Sequence, residues 1–464
     1  MSPPDPPVSV WLADAPDRER VRERIRVAAR VLSAGAIATP ALFLDGSALR
    51  SNLTRWQKHF PAVPAFYAVK ANIDPLVLRE LFTGGANADV ASAYEIAICR
   101  ALGLPGERMI LSNPRKDFET IRAMADAAIW ATTVDSEEEI DKLTAEGIPS
   151  ATYNPVLFVR IKVPTEGVAQ DLSSKFGIRI LPQTATIAAD AASLRYHLDG
   201  VRAVLKKARG AGFVRFGLAF HVGTQCTEAR VYESALAIVQ HVAAALRREG
   251  FAVDHLDLGG GFPDARTAAK QNPSASGDPR EGMFRVVGAA AARAVRAGYR
   301  VIAEPGRYLV ADAGFLVTRV SFDRSTDLTG RRVQIDDGIY RTLSGRIHDG
   351  REYQFHAFRL LADKPPFLGV VTTVTVWGCS CDSFDKVSDG VLLPADIQVG
   401  DDLLAEGLGA YSTSFGSNTN GFAPATVVLY RADGDRLDWE VSPMAEQNAL
   451  MLRHIGRWAK GGTA

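Results

Sequence analysis

From residue 41 to residue 308, short apolar or β-branched runs alternate with amphipathic helical stretches, and this alternation restricts the fold more than any other feature of the chain. The runs are ALFLD (41–45), AFYAVK (65–70), ADV (88–90), MILS (109–112), IWATTVD (129–135), VLFVRIKV (156–163), GLAFHVG (217–223), HLDLGGG (255–261) and VIAEPG (301–306). Helical stretches such as AYEIAICRAL and ESALAIVQHVAAALRREG lie between them. Parallel strands need a crossover, usually a helix, so the rhythm predicts a (β/α)8 TIM barrel, with an open doubly wound sheet as the alternative.

Beyond residue 309 the helical pattern fades. FLVTRVSF, RRVQID, LGVVTTVTVWG, DDLLAEG, ATVVLYR and LDWEVS follow, separated by Gly, Asp and Pro turns, and predict a second, mostly β domain over 309–464 with a closing helix near 444–460. Residues 1–40 form a proline-rich tail and a charged amphipathic helix over about 15–35, expected to pack with the β-domain. The segment around 181–198 reads as an insertion between barrel units.

Composition narrows the partners. Lys+Arg and Asp+Glu both total 53 in 464 residues, without a sustained basic run, which argues against nucleic acid and anionic membranes. No apolar run reaches the roughly 18 residues of a membrane span, and the first residues lack a secretory pattern. Four cysteines are few for this length, and Cys379-x-Cys381 lacks a second pair at zinc-ribbon spacing, so a reducing cytoplasmic setting and no metal are expected.

Candidate chemistry falls at strand ends. Lys70 closes AFYAVK, where Asn72 and Asp74-Pro75 stop the strand; it is either an amine shielded enough to form a Schiff base with a carbonyl or with pyridoxal phosphate (PLP), or a lysine that snorkels to water. Gly259-Gly260-Gly261 could present N–H groups to a phosphate or form a bare tight turn. Glu304, in AEPGR, needs a cationic partner: a protonated pyridine nitrogen, with Gly306 and Arg307 on a phosphate, or Arg307 itself. His221 can stack on a cofactor ring with Thr224 at its polar edge, or be a core histidine. Asp89, with Glu95 six residues on, and Arg160 suit a polar network around the Schiff base, or buried ion pairs. In the second domain, Cys381-Asp382 puts a thiol beside a carboxylate, and Tyr411 follows Gly409-Ala410.

In order and spacing, YAVKAN, HVGTQC, LGGGFP, AEPGR, WGCSCD and IYRTLSGRIHD make the chain resemble the fold-type III PLP-dependent decarboxylases, closest to the ornithine/lysine branch, from about residue 40 to 432. The resemblance implies an alanine-racemase-like (β/α)8 barrel over 41–308 plus a β-domain, in a head-to-tail homodimer whose active sites the partner's β-domain completes. Lys70 would carry PLP, His221 would stack on its ring, and Glu304 would keep its pyridine nitrogen protonated. Gly259, Gly260, Gly261, Gly306, Arg307 and Tyr411 would hold the phosphate, with Thr224, Asp89 and Arg160 in support.

By the same resemblance, Cys381 would reprotonate the substrate carbon, while Asp382, Asp349 and Tyr340 would receive a distal ammonium. Relatives with a diaminopimelate substrate tend to carry glutamate after the cysteine, and racemases lack the Cys381-Asp382 pair. His348 stands where ornithine enzymes usually have tyrosine, and Thr419 where they have phenylalanine, which opens the substrate end. The implied activity is decarboxylation of a basic diamino acid. The alternatives are a catalytically inactive homologue that binds a regulatory protein and a racemase on the same barrel.

Overall fold

The computed structural model describes residues 6–13, 17–165, 175–182, 191–274, 277–326, 330–361 and 364–446. Most of the expected closing helix and the middle of the 181–198 segment lie outside these residues. The chain divides into two compact units, one of residues 50–73 and 78–309, the other of the remainder.

The first unit is a parallel barrel. Strands Phe66–Ala68, Asn87–Val90, Met109–Leu111, Ala131–Val134, Val156–Lys162, Phe216–Ala219, Val253–Asp257 and Arg300–Ile302 are neighbours in chain order. A parallel bridge between Ala65 and Ala303 joins the last to the first, with the Phe66 N–H donating to the Ala303 carbonyl at 2.9 Å. Phe66, Ile110, Ala131, Val156, Phe158, Ala219 and Ile302 form one buried cluster, against which Trp130 packs. Gly217 is required there, because a Cβ would lie 2.5 Å from the Phe158 ring. Outside the strands, Trp56, Phe60, Phe262, Phe284 and Tyr308 pack ring on ring, and Gly288 lets its helix approach the His59 carbonyl, which a Cβ would meet at 2.2 Å.

The second unit holds a ten-stranded sheet. Helix Arg18–Ser33 buries Val21, Ile25, Ala28 and Val31 in a cluster with Phe43, Phe315, Phe358, Leu404 and Val428. Arg24 on the same helix is buried, and donates to Glu406 Oε1 at 2.7 Å and to the Asp312 carbonyl at 2.6 Å, as a charge in that position requires. The expected first barrel strand belongs here instead. Ala41–Asp45 pairs antiparallel with Gly314–Thr326 and parallel with Thr426–Asp433, with Ala41 to Leu44 fully buried. An apolar run buried on both faces reads the same in a barrel as at the centre of a mixed sheet. Among the described residues, no helix is long and apolar enough to cross a membrane.

Overpacking beside Phe158 should make Gly217→Ala less stable by about 1–3 kcal/mol in denaturant titration. An unchanged midpoint would show that the barrel interior has slack at this point.

Candidate active site

The C-terminal rim of the barrel gathers the first group of candidate residues. The strand Phe66–Ala68 breaks into a single 3-10 turn, Val69–Ala71, which carries Lys70 past the rim. Lys70 is consequently exposed, and the expectation that the strand end itself shields its amine is corrected. Its charge still acts on the site, offsetting part of the rise that burial causes at Asp89 and Glu95 and helping to lower the pKa of His221.

The segment after Ile302 lies directly alongside. The Ala68 N–H donates to the Pro305 carbonyl at 3.3 Å, and a Cβ on Gly306 would come within 3.0 Å of Ala68 Cβ and 3.2 Å of Ala71 Cβ. Glu304, two residues earlier, donates its N–H to the Gly259 carbonyl at 2.8 Å. The lysine turn, the Glu304 segment and the glycine loop are therefore in backbone contact.

The glycines are dictated by that crowding. Gly259 (φ +64°) would place a Cβ 2.2 Å from the Phe220 carbonyl, and Gly261 (φ +95°) one 2.3 Å from the Gly223 carbonyl. A Cβ on Gly260 would lie 2.9 Å from the Glu304 carbonyl and 3.2 Å from His221 Nε2. Tyr232, buried beneath, donates its hydroxyl to the Gly260 carbonyl at 3.0 Å. The N–H groups of Gly260, Gly261 and Gly306 donate to no acceptor among the described residues, which suits them to an anion such as a phosphate.

His221 is partly buried. Its Nδ1 accepts the Gly223 N–H at 3.0 Å, so in the neutral ring the proton sits on Nε2. Burial, then the positive charges of Arg160 and Lys70, lower its pKa to about 3, and the ring is uncharged at neutral pH. Arg160 lies over the Phe176 ring, its Cζ 5.6 Å from the centroid. Asp89 and Glu95 are buried; burial raises both pKa values, and at Asp89 the negative charge of Glu304 adds to the effect. Glu95 Oε2 accepts the Ala91 N–H at 2.7 Å. Thr224 is partly exposed beside these groups in sequence, and Arg307 is buried at the start of the short helix Arg307–Val310.

The second group lies in the β unit. Strands Gly330–Ile335 and Val371–Trp377 are parallel neighbours, so the loops that follow them emerge at one edge. Buried Asp385 ties the loops together, accepting the Ile339 N–H at 2.9 Å, the Ser380 N–H at 3.0 Å and the Ser380 hydroxyl at 2.6 Å. A Cβ at Gly378 would collide with its carboxylate. Cys381 is exposed; its N–H donates to Asn420 Oδ1 at 3.3 Å, and its Sγ lies 3.6 Å from the same oxygen. Tyr340 donates to Asp382 Oδ2 at 2.7 Å and the Phe384 N–H to Oδ1 at 2.9 Å, and these bonds hold Asp382 below the usual carboxylate range.

Thr419 is linked to the same loops through Ser417, whose hydroxyl lies 2.7 Å from its own and whose N–H donates to the Tyr340 carbonyl. The His348 ring lies 4.6 Å from that of Phe415, which stacks on Tyr411 at 5.4 Å. Asp349 is exposed at the end of the Gly345–His348 turn. Sequence reasoning missed Asp257, Asp385 and Asn420. Of these only Asn420, in an Asn-Gly pair and at φ +56°, carries a local signal, and that signal is for a turn.

A neutral imidazole, unengaged glycine N–H donors, a carboxylate and a primary amine on one rim are the donor set that PLP requires, and the residues fit it. Comparison with known proteins agrees. Residues 47–311 match the family model of the pyridoxal-dependent decarboxylase, pyridoxal binding domain. The chain is 32% identical over 398 residues to lysine/ornithine decarboxylase of Selenomonas ruminantium, covering 85% of this chain and 90% of the relative. It is 30% identical over 394 residues to ornithine decarboxylase of Mus musculus, covering 81% and 77%. Among solved structures, a complex of SrLDC with PLP and cadaverine superposes with a TM-score of 0.71 at 26% identity, covering 96% of this chain and 98% of that one.

A histidine whose pKa lies near 3 should show no imidazole titration by NMR between about pH 5 and 8, and a midpoint near 6.5 would contradict the neutral assignment. The linkage has a definite sign. The folded pKa is depressed, so the stability it reflects is complete above the unfolded value and declines as pH falls from about 6.5 toward 3. With this fold, this rim and these relatives, the chain belongs to the pyridoxal-dependent decarboxylases, enzymes that remove the carboxylate of an amino acid.

Proposed function

We propose that this enzyme decarboxylates a basic, diamino L-amino acid, of the ornithine and lysine class, in the cytoplasm and as a homodimer. The observation that carries the substrate class is Asp382. It is held ionised by the Tyr340 hydroxyl and the Phe384 N–H, and it is next in sequence to an exposed thiol. A carboxylate so held is suited to a distal ammonium, with Tyr340 fixing its orientation. Asp349 is assigned to the same ammonium. His348 and Thr419, smaller than the aromatic residues of ornithine enzymes, leave length for a substrate beyond ornithine.

In this reading Lys70 would hold the cofactor through its aldehyde carbon. When bound, PLP supplies an electron-accepting ring that stabilises the charge left on Cα as carbon dioxide departs. Glu304 would pair with the pyridine nitrogen, and His221, being uncharged, would stack on the ring without competing for that charge. Gly260, Gly261, Gly306, Arg307 and Tyr411 would hold the phosphate, whereas Gly259, expected among them, has its N–H taken by Asp257 and its carbonyl by Glu304 and shapes the loop instead. Asp89, Arg160 and Thr224 fix the ring's polar edge. The Cys381 thiol delivers a proton to Cα.

The dimer is supported by the surroundings of Cys381. Phe384 is 79% exposed, and Phe415 and Phe422 are also exposed, an apolar surface suited to a second copy. The described cysteines are free thiols, consistent with a reducing compartment.

Carbon dioxide release from ornithine, lysine, arginine and diaminopimelate, with PLP added, should show turnover of one basic substrate. Release from diaminopimelate alone would overturn the substrate class, and binding of PLP without any release would favour a regulatory homologue. Asp382→Asn should raise KM for the active substrate by about tenfold or more, with a smaller change in kcat. If each site uses Lys70 of one copy and Cys381 of the other, mixed Lys70→Ala and Cys381→Ala proteins should recover up to about a quarter of wild-type activity after subunit exchange. No recovery in mixtures shown to have exchanged would place both residues in one subunit's site.

A further inference from the structure

Asp257 ends the strand Val253–Asp257 and is 0% exposed. One oxygen, Oδ1, accepts the Gly259 N–H at 2.8 Å, and the Gly259 carbonyl in turn accepts the Glu304 N–H at 2.8 Å. The other, Oδ2, is buried and accepts from no donor among the described residues, and the side-chain hydrogen-bond partner of this carboxyl is Glu304. The charges that act on this carboxyl are both negative: Glu304, from the segment after Arg300–Ile302, and more weakly Asp89, on Asn87–Val90. Gly259 contributes only its N–H, and His221, across Gly260, is uncharged.

An ionised carboxylate with an orphan oxygen, no exposure and like charges around it would be strongly disfavoured. The protonated form removes that cost, because Oδ2 becomes a donor and the Glu304 carboxylate is its acceptor. We infer that Asp257 is a neutral carboxylic acid that donates a hydrogen bond to Glu304, and is the positioning residue that keeps the Glu304 carboxylate aimed at the cofactor's pyridine nitrogen. Burial, reinforced by Glu304, pushes the Asp257 carboxyl well above the ordinary carboxylate range. The inference rests on the reading of Glu304 as that nitrogen's partner.

Asparagine reproduces a protonated aspartic acid, an acceptor toward Gly259 and a donor toward Glu304, whereas alanine removes both. The test uses the full-length protein loaded with PLP, comparing wild type, Asp257→Asn and Asp257→Ala. PLP affinity is read by fluorescence titration and thermal unfolding is followed between about pH 5 and 9. Asp257→Asn should bind PLP within about threefold of wild type, and Asp257→Ala about tenfold or more weakly.

The pH dependence separates this role from a merely structural one. A folded-state pKa raised above the unfolded value makes wild-type stability fall as pH rises, because the unfolded chain releases the proton that the folded chain keeps. The Tm of Asp257→Asn relative to wild type should therefore climb with pH. A flat or falling difference, PLP loss in Asp257→Asn equal to that in Asp257→Ala, or wild-type affinity in Asp257→Ala would each overturn the inference. If Asp257→Ala does not fold, the asparagine variant's pH slope decides alone. If wild type binds no PLP, the reading of the site fails, while the slope still tests the neutral acid.

Discussion

The parallel bridge between Ala65 and Ala303 closes the barrel at the seam where its two most consequential strand ends meet. One carries Lys70 one turn beyond the strand; the other carries Glu304 and then Gly306, packed against Ala68 and Ala71. The backbone segments that carry amine and carboxylate thus reach the rim through direct pairing. The glycine loop joins the same seam through the Glu304 N–H to the Gly259 carbonyl, and its φ values and short contacts leave no room for any other residue.

The rim so built is rich in acid. Asp89 lies within electrostatic reach of Glu95 and Glu304, and Asp257 of Glu304 and Asp89, while Lys70 acts on Asp89 and Glu95. Burial lifts the pKa values of three of these carboxyls, Asp89, Glu95 and Asp257. His221 follows the opposite logic, kept neutral by burial and by Arg160. The outcome is a rim that gathers carboxyls around Glu304 and whose His221 ring carries no charge.

Much of the barrel was legible in the sequence because barrel chemistry is confined to strand ends, and AFYAVK, GLAFHVG, HLDLGGG and VIAEPG each carry a candidate residue at or near their C-terminal end. What was not legible depends on tertiary context. ALFLD has the composition of a barrel strand, but its partners are Gly314–Thr326 and Thr426–Asp433, a choice that periodicity cannot express. The exposure of Lys70 follows from a 3-10 turn one residue earlier than an extended strand would end. Asp257 and Asp385 look like ordinary strand-end and turn acids, and only their burial and the N–H groups they accept reveal what they organise.

The account's central claim is that Lys70 is the amine that holds the cofactor. Borohydride reduction of the PLP-loaded protein, followed by digestion and mass spectrometry, tests it most directly. A pyridoxyl phosphate adduct on the peptide that contains Lys70, and absent after Lys70→Ala, is the predicted result; an adduct on another lysine of the loaded protein, with Lys70 unmodified, would contradict it.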